Sequence, residues 1–312
     1  MKNTIKLAAL SGLLLFFWSG AALSATGSFE KTMSVDEPIV VDVTTGSGSI
    51  TITGGNAGRV EISGEIKTSR RSFLGIFRRS GKEMEEIVRH VEENPPVELV
   101  DGVLKIGHFE DSKYRKNVSI SYEIRVPAST EVISHTGSGS QSISDVAGPV
   151  EAGTGSGRVT LTNIGGAVKA RTGSGGIRAN EIAGAFEARA GSGSIRLTQV
   201  APGDVKVQTG SGSSILEGVV GGLHVRAGSG SVEVHGRQEG TWDIDTGSGS
   251  VSVYLPDDAA FELDAHTGSG GINIDHPLTV QGKISKRHIR GNVRGGGETL
   301  VVETGSGSIR IQ

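Results

Sequence analysis

Four side chains of this 312-residue chain have the types and spacing of a reaction or metal centre: Asp243 with Asp245, and Asp264 with His266. One residue separates the members of each pair, so on an extended strand both point to the same face. Paired carboxylates can do general acid and base work on a polysaccharide, and carboxylate oxygens beside an imidazole can take a divalent cation. Whether the two pairs meet depends on the elements that carry them.

Those elements are set by one tripeptide. Gly-Ser-Gly occurs ten times, with first glycines at 46, 137, 155, 173, 191, 210, 228, 247, 268 and 305, and from 137 to 228 the copies recur every 18 or 19 residues. Regular self-similarity at that period is the mark of stacked repeats. Within one repeat Val159 and Leu161 alternate with polar Arg158, Thr160 and Thr162. Ile164-Gly165-Gly166 then turns the chain, and Val168 to Thr172 alternates again. Alternation of period two predicts two short strands per repeat, each with one buried face. A lone repeat cannot bury that face, but stacking the next at about 4.8 Å pairs like strands in parallel and in register.

The expected fold is therefore all-β, a parallel β-solenoid of about nine to ten coils with Gly-Ser-Gly corners. Its inward rows run Ile50/Ile52, Val159/Leu161, Ile177/Ala179, Ile195/Leu197, Val232/Val234, Val251/Val253, Ile272/Ile274 and Ile309/Ile311 after the turns, and Val150/Ala152 through Trp242/Ile244 before them. Val146, Ile164, Ile182, Val200 and Val219 form a third inward column at the corners. Glycine is expected there because positive φ costs it nothing. The serines, Ser47 to Ser306, should line one rim, as turn chemistry or as hydroxyls and amides able to hold a sugar or an anion.

In this register residues one period apart become neighbours. Four places before each first glycine the column reads Glu151, Lys169, Glu187, Lys206, His224, Asp243, Asp264; two places before, Gly153, Arg171, Arg189, Gln208, Arg226, Asp245, His266. Alternating Glu and Lys is ordinary cross-strand pairing. At the far end, Asp243, Asp245, Asp264 and His266 would lie one coil apart, and they are the weak candidates for a metal or catalytic site. No catalytic residue, cofactor or cofactor-binding residue is otherwise assigned.

Composition agrees with a thin, repeatedly stacked core: 49 glycines, 35% hydrophobic and 4% aromatic residues. A net charge of −3 gives no electrostatic reason to expect nucleic acid. With no cysteine there is no disulfide framework, thiolate nucleophile or lipidated N-terminal Cys. Lys2 and Lys6, the apolar run Leu7 to Trp18, and the small residues Ser19 to Ala25 have the layout of a secretory signal, with cleavage expected after Ser24 or Ala25. Three regions follow from this: a signal at 1–25, an N-terminal β region with a helical insertion at 26–136, and the regular solenoid with a C-terminal cap segment at 137–312. Localisation is expected to be exported, in the periplasm or at the cell surface.

In the N-terminal region a first strand is expected over Phe29 to Val43. Ser69 to Arg79 is basic with an apolar centre, and Met84, Ile87, Val88 and Val91 fall at helical spacing until Pro95-Pro96. The helix should cap an open solenoid end. A weak membrane-surface contact through residues 70–79 is the alternative. Strands are expected at Val97 to Leu99 and Val103 to Ile106 around Asp101-Gly102, and at Val118 to Val126. Later, Lys283, Lys286, Arg287, His288, Arg290 and Arg294 suggest a solvated hairpin or cap, or a phosphate-polymer site.

The ten Gly-x-Gly units lack the third glycine of a dinucleotide fingerprint, their serines do not match Gly-x-Ser-x-Gly, and the calcium-binding nonapeptide is absent. The repeated Thr-Gly-Ser-Gly-x-Ile, the stretch Val118 to Ala128 and the closing Thr304 to Ile311 resemble a bacterial family of adhesin-like β-strand-repeat proteins, a domain of unknown function. The resemblance spans nearly all of the mature chain, includes the helix at 82–93, and carries over no catalytic residues. The function expected is that of a non-enzymatic envelope protein that binds a surface polysaccharide or another envelope protein. The alternatives are a polysaccharide-acting enzyme at Asp243/Asp264, and self-association with the strand Ile309 to Ile311 pairing to another chain.

Overall fold

The computed structural model describes residues 25–36, 38–55, 58–68, 81–280 and 285–312. The expected signal, the basic stretch at 70–79 and Lys283 lie outside the described residues. The chain divides into two compact units, Met1–Gly148 and Pro149–Gln312. Both are built mainly of strands, and the helices, Gly81–Glu93 and Ser112–Asn117, belong to the first.

In the first unit Val40–Thr45 lies between Val103–Ile106 and Glu131–Thr136, parallel to both. Likewise Ile50–Gly54 lies between Val118–Val126 and Gln141–Val146, again parallel to both. The first Gly-Ser-Gly rung is thus interior to the stack. The segment that interrupts the repeat supplies the rung on one side of it, with inward Leu104, Ile106, Tyr122 and Ile124 buried. Val97–Val100 and Val103–Ile106 form the expected hairpin, with Asp101 and Gly102 both at positive φ.

Two strands, Thr26–Ser34 and Val40–Thr45, replace the single strand expected over Phe29 to Val43. The first pairs antiparallel with Arg59–Thr68, which pairs antiparallel with Val118–Val126. Over the first two of these the helix Gly81–Glu93 buries Met84, Ile87, Val88 and Val91, the apolar stripe its spacing predicts. Its approach is close: a Cβ on Gly27 would collide with the side chains of Glu92 and Val88, and Glu92 accepts a 3.0 Å bond from the Ser28 amide.

In the second unit Val150–Thr154, Val168–Thr172, Phe186–Ala190 and Val205–Thr209 stack in parallel, and Val159–Ile164, Ile177–Ile182 and Ile195–Gln199 do the same. Ser214–Ser229 and Val232–Ser248 continue both ladders as single long, bent strands. The inward rows are buried as the alternation requires, up to Trp242, whose indole N–H donates to the Gly221 carbonyl at 2.8 Å. Ile272 and Ile274 are the exception, being only half-buried.

Three further expectations need correction. Val200 is 61% exposed, and Gln199 is buried in its place. Pairing slips after Ala179/Leu197 so that Gln199 meets Ile182, and its amide nitrogen donates to the carbonyls of Gly184 and Gly203. The corner is therefore closed by hydrogen bonds instead of an aliphatic side chain.

Positive φ is not what the Gly-Ser-Gly units require, since among the described residues only Gly270 of their glycines adopts it. Their need is proximity. A Cβ on Gly268 or Gly305 would lie 2.5 Å from the turn carbonyl of the adjacent rung, and one on Gly175 or Gly193 would lie closer still. Left-handed backbone occurs instead at the opposite corner, where residues with side chains also adopt it: Asp145 in the first unit and Asn163 and Glu181 in the second, with φ of 61°, 54° and 57°. Asn and Asp tolerate this conformation better than most residues, Glu less well.

Ile309–Ile311 is not a free edge, because it pairs in parallel with both Val251–Tyr254 and Ile272–Ile274. The self-pairing expected of that strand has no unoccupied side to use.

Candidate functional site

Asp243 and Asp264 are not on adjacent rungs. The strand Glu298–Ser306 lies between them, parallel to both neighbours, so that Val301 separates Asp243 from Asp264 and Glu303 separates Asp245 from His266. Two rungs put the pairs roughly 10 Å apart. Buried Leu300 and Val302 give the inserted strand an inward row as well filled as those it joins, and its Gly305 stacks on the turn of Gly247. Sequence spacing reveals that this strand is a rung, but not where in the stack it goes.

Two of the three candidate carboxylates have a local partner. Asp243 lies 3.0 Å from His224 Nδ1. Asp264 accepts from His288 Nε2 at 2.9 Å and from Arg290, both on the antiparallel strand His288–Val293. Partial burial opposes charge on Asp264, yet the hydrogen bonds from Arg290 and His288 outweigh it and hold the carboxyl below its ordinary value. The basic segment therefore acts here as the expected hairpin, with Arg294 also donating to the Asp257 carbonyl. No cluster of three His, Asp or Glu suited to a metal occurs among the described residues.

The turn rim is built from the inside. Beside each first glycine stands a Thr or Ala; Thr154, Thr172, Thr209, Thr246, Thr267 and Thr304 are all buried. The hydroxyl of Thr172 accepts from the Gly175 amide and donates to the Gly157 carbonyl one rung earlier, and Thr209 does the same with Gly212 and Gly193. Amides of Ser174 and Ser192 donate to the carbonyls of Gly155 and Gly173. These turn amides are engaged within the ladder and do not form a nest for an anion. The serine side chains, from Ser156 to Ser306 in this unit, are exposed, and Ser229, Ser248, Ser306 and Ser269 are in register.

The outward rows are as regular as the inward ones. Glu151, Lys169, Glu187, Lys206, His224 and Asp243 are successive rung neighbours. Arg171 and Arg189 reach Glu151 and Glu187 at 3.7 and 2.9 Å, exposed pairs that contribute little to stability. On the other outward face, after the turns, Thr160, Arg178, Arg196 and Ile215 follow one another in register. Beside that row stand Thr162, Asn180 and Thr198. Reading the charge columns only before the turns missed the Arg178–Arg196 row. The repeated Ile-Arg at 177–178 and 195–196, one 18-residue period apart, was the signal for it.

A family model described as Toastrack DUF4097 matches residues 100–312. No curated protein matches the chain. Among solved structures it is similar to "a putative cell adhesion protein" from Clostridium sporogenes, at 13% identity and a TM-score of 0.20, covering 91% of this chain and 99% of that one.

Proposed function

The chain belongs to the Toastrack DUF4097 family, and on that premise we propose that it is a non-enzymatic binding module of the bacterial cell envelope, which presents outward strand faces to a surface partner. The observation that carries this reading is the outward face of the 149–312 unit. Its side chains repeat in fixed register over a backbone locked by rung-to-rung hydrogen bonds, so a ligand meets a preorganised, repeating array. The acid-base alternative loses its geometric support, since Glu298–Ser306 holds its carboxylates apart and Asp264 is tied to Arg290 and His288.

Export is part of the proposal. It is supported by the basic, apolar and small-residue order of residues 2–25, and by the strand Thr26–Ser34, which begins where the expected cleavage would leave the mature chain. Fractionation of cells expressing the chain with and without residues 1–25 tests this, together with sedimentation of purified residues 26–312 with isolated envelopes. Signal-dependent export and saturable co-sedimentation are expected; a chain retained in the cytoplasm, or envelope binding that does not saturate, would overturn the reading.

A further inference from the structure

Charge in the 149–312 unit is unevenly distributed along the sequence. Residues 155–198 contain six basic and two acidic residues, a net of +4, whereas residues 217–264 contain nine acidic and two basic ones, a net of −7. Within the basic coils, Arg178 and Arg196 occupy the same outward position on successive rungs, about 4.8 Å apart. Both are exposed, and neither has a carboxylate in ion-pair reach among the described residues. Their row neighbours, Thr160 and Ile215, carry no charge. Like charges directly opposed across a ladder oppose folding, so this arrangement is a cost that the fold itself does not offset.

The surroundings point to the kind of group that would offset it. Beside the arginines stand Thr162, Asn180 and Thr198, hydroxyl and amide side chains on the same face, with Thr198 held by Glu217 at 3.3 Å. Across the turn, beyond exposed Ser174 and Ser192, the stacked Arg171 and Arg189 are by contrast ion-paired with Glu151 and Glu187. Guanidinium groups match carboxylate and sulfate geometry, and the hydroxyls and amide complement sugar hydroxyls. A bare anionic surface would have no use for the second set.

We propose that the face carrying Arg178 and Arg196 binds an acidic polysaccharide, laid along the stack so that successive carboxylate or sulfate groups meet successive rungs. This rests on the binding-module reading above and deepens it by naming the ligand class and the face. Wild-type residues 26–312 are measured against polygalacturonate, dextran sulfate, neutral dextran and long-chain polyphosphate, and against isolated envelopes. The first two probes separate carboxylate from sulfate. Salt-sensitive binding to at least one acidic glycan is expected. Arg178→Gln/Arg196→Gln should weaken it about tenfold or more and flatten its salt dependence, while Lys286→Gln/Arg287→Gln stays within roughly twofold of wild type.

The double variant should melt at or above the wild-type temperature, which separates lost binding from lost folding. Equal binding by the double variant would overturn the proposal, as would neutral dextran or polyphosphate bound as tightly as the acidic glycans. The same holds if the variant's only defect is loss of a concentration-dependent dimer, which would assign the arginines to the acidic coils of a second copy. Saturable binding to envelopes without binding to either acidic glycan sinks this inference and leaves the binding module standing. Binding to neither sinks both.

Discussion

The hydroxyl of Thr172 donates to the carbonyl of Gly157 at 3.2 Å, one rung away, while accepting from the amide of Gly175 at 3.0 Å. One buried side chain thus closes its own turn and ties it to the preceding one. Thr172→Val keeps the shape and removes both bonds, leaving a buried amide and carbonyl without that partner. A loss of about 1–3 kcal/mol is expected in urea denaturation, with Thr172→Ser retaining most of the stability. Ala190 fills the equivalent place in the following rung, so Ala190→Thr should gain up to about 1 kcal/mol.

Gly175→Ala and Gly46→Ala make a matched pair. At Gly175 an added Cβ collides with the Gly157 carbonyl, backbone against backbone, whereas at Gly46 it meets nothing within 4 Å. The first should lose more than about 3 kcal/mol or fail to fold, and the second should stay within about 0.5 kcal/mol of wild type. Similar losses for both would refute the proximity account of the repeated glycines.

Glu181 holds a left-handed backbone with φ of 57° at a corner where the equivalent residue of the preceding rung is Asn163. Glu181→Asn should therefore gain about 0.5–1 kcal/mol, read as a higher denaturation midpoint with an unchanged slope.

Asp264 predicts a pH dependence. Its folded pKa is depressed, so its contribution is fully present above the unfolded value of about 3.9 and is lost as pH falls through the folded one. Amides of His288–Val293 should lose hydrogen-exchange protection below that pH, ahead of the ladder strands. In Asp264→Asn they should be weakly protected at neutral pH, and their protection factors, corrected for intrinsic exchange, should no longer fall further in acid. Protection that is unchanged in this variant would show that the pairing does not hold the hairpin.

Much of the ladder was legible because a repeat of constant length converts sequence distance directly into spatial adjacency. Val159, Ile177 and Ile195 had to stack once the period was 18. The register failed where something other than length decides it. At Val200 the repeat carries one extra residue, and an amide able to bond two carbonyls displaces the aliphatic side chain. At Asp264 the rung order departs from chain order, and no local pattern encodes which rung a returning strand will join. The glycine role was misread because composition marks a position that excludes Cβ without saying whether torsion or contact excludes it. The candidate acidic site failed with the rung order, while the arginine row was readable throughout from its period.

Residues 298–311 form a rung held between residues 232–254 and 261–274, although they are made after both. A chain emerging residue by residue could therefore zip its stack only as far as Tyr254. Phe261–Ser269 and Ile272–Ile274 meet their parallel rung neighbours only after Glu298–Ser306 and Ile309–Ile311 have been made. Closure of this end is thereby a late, non-local event, the slow kind of step in folding.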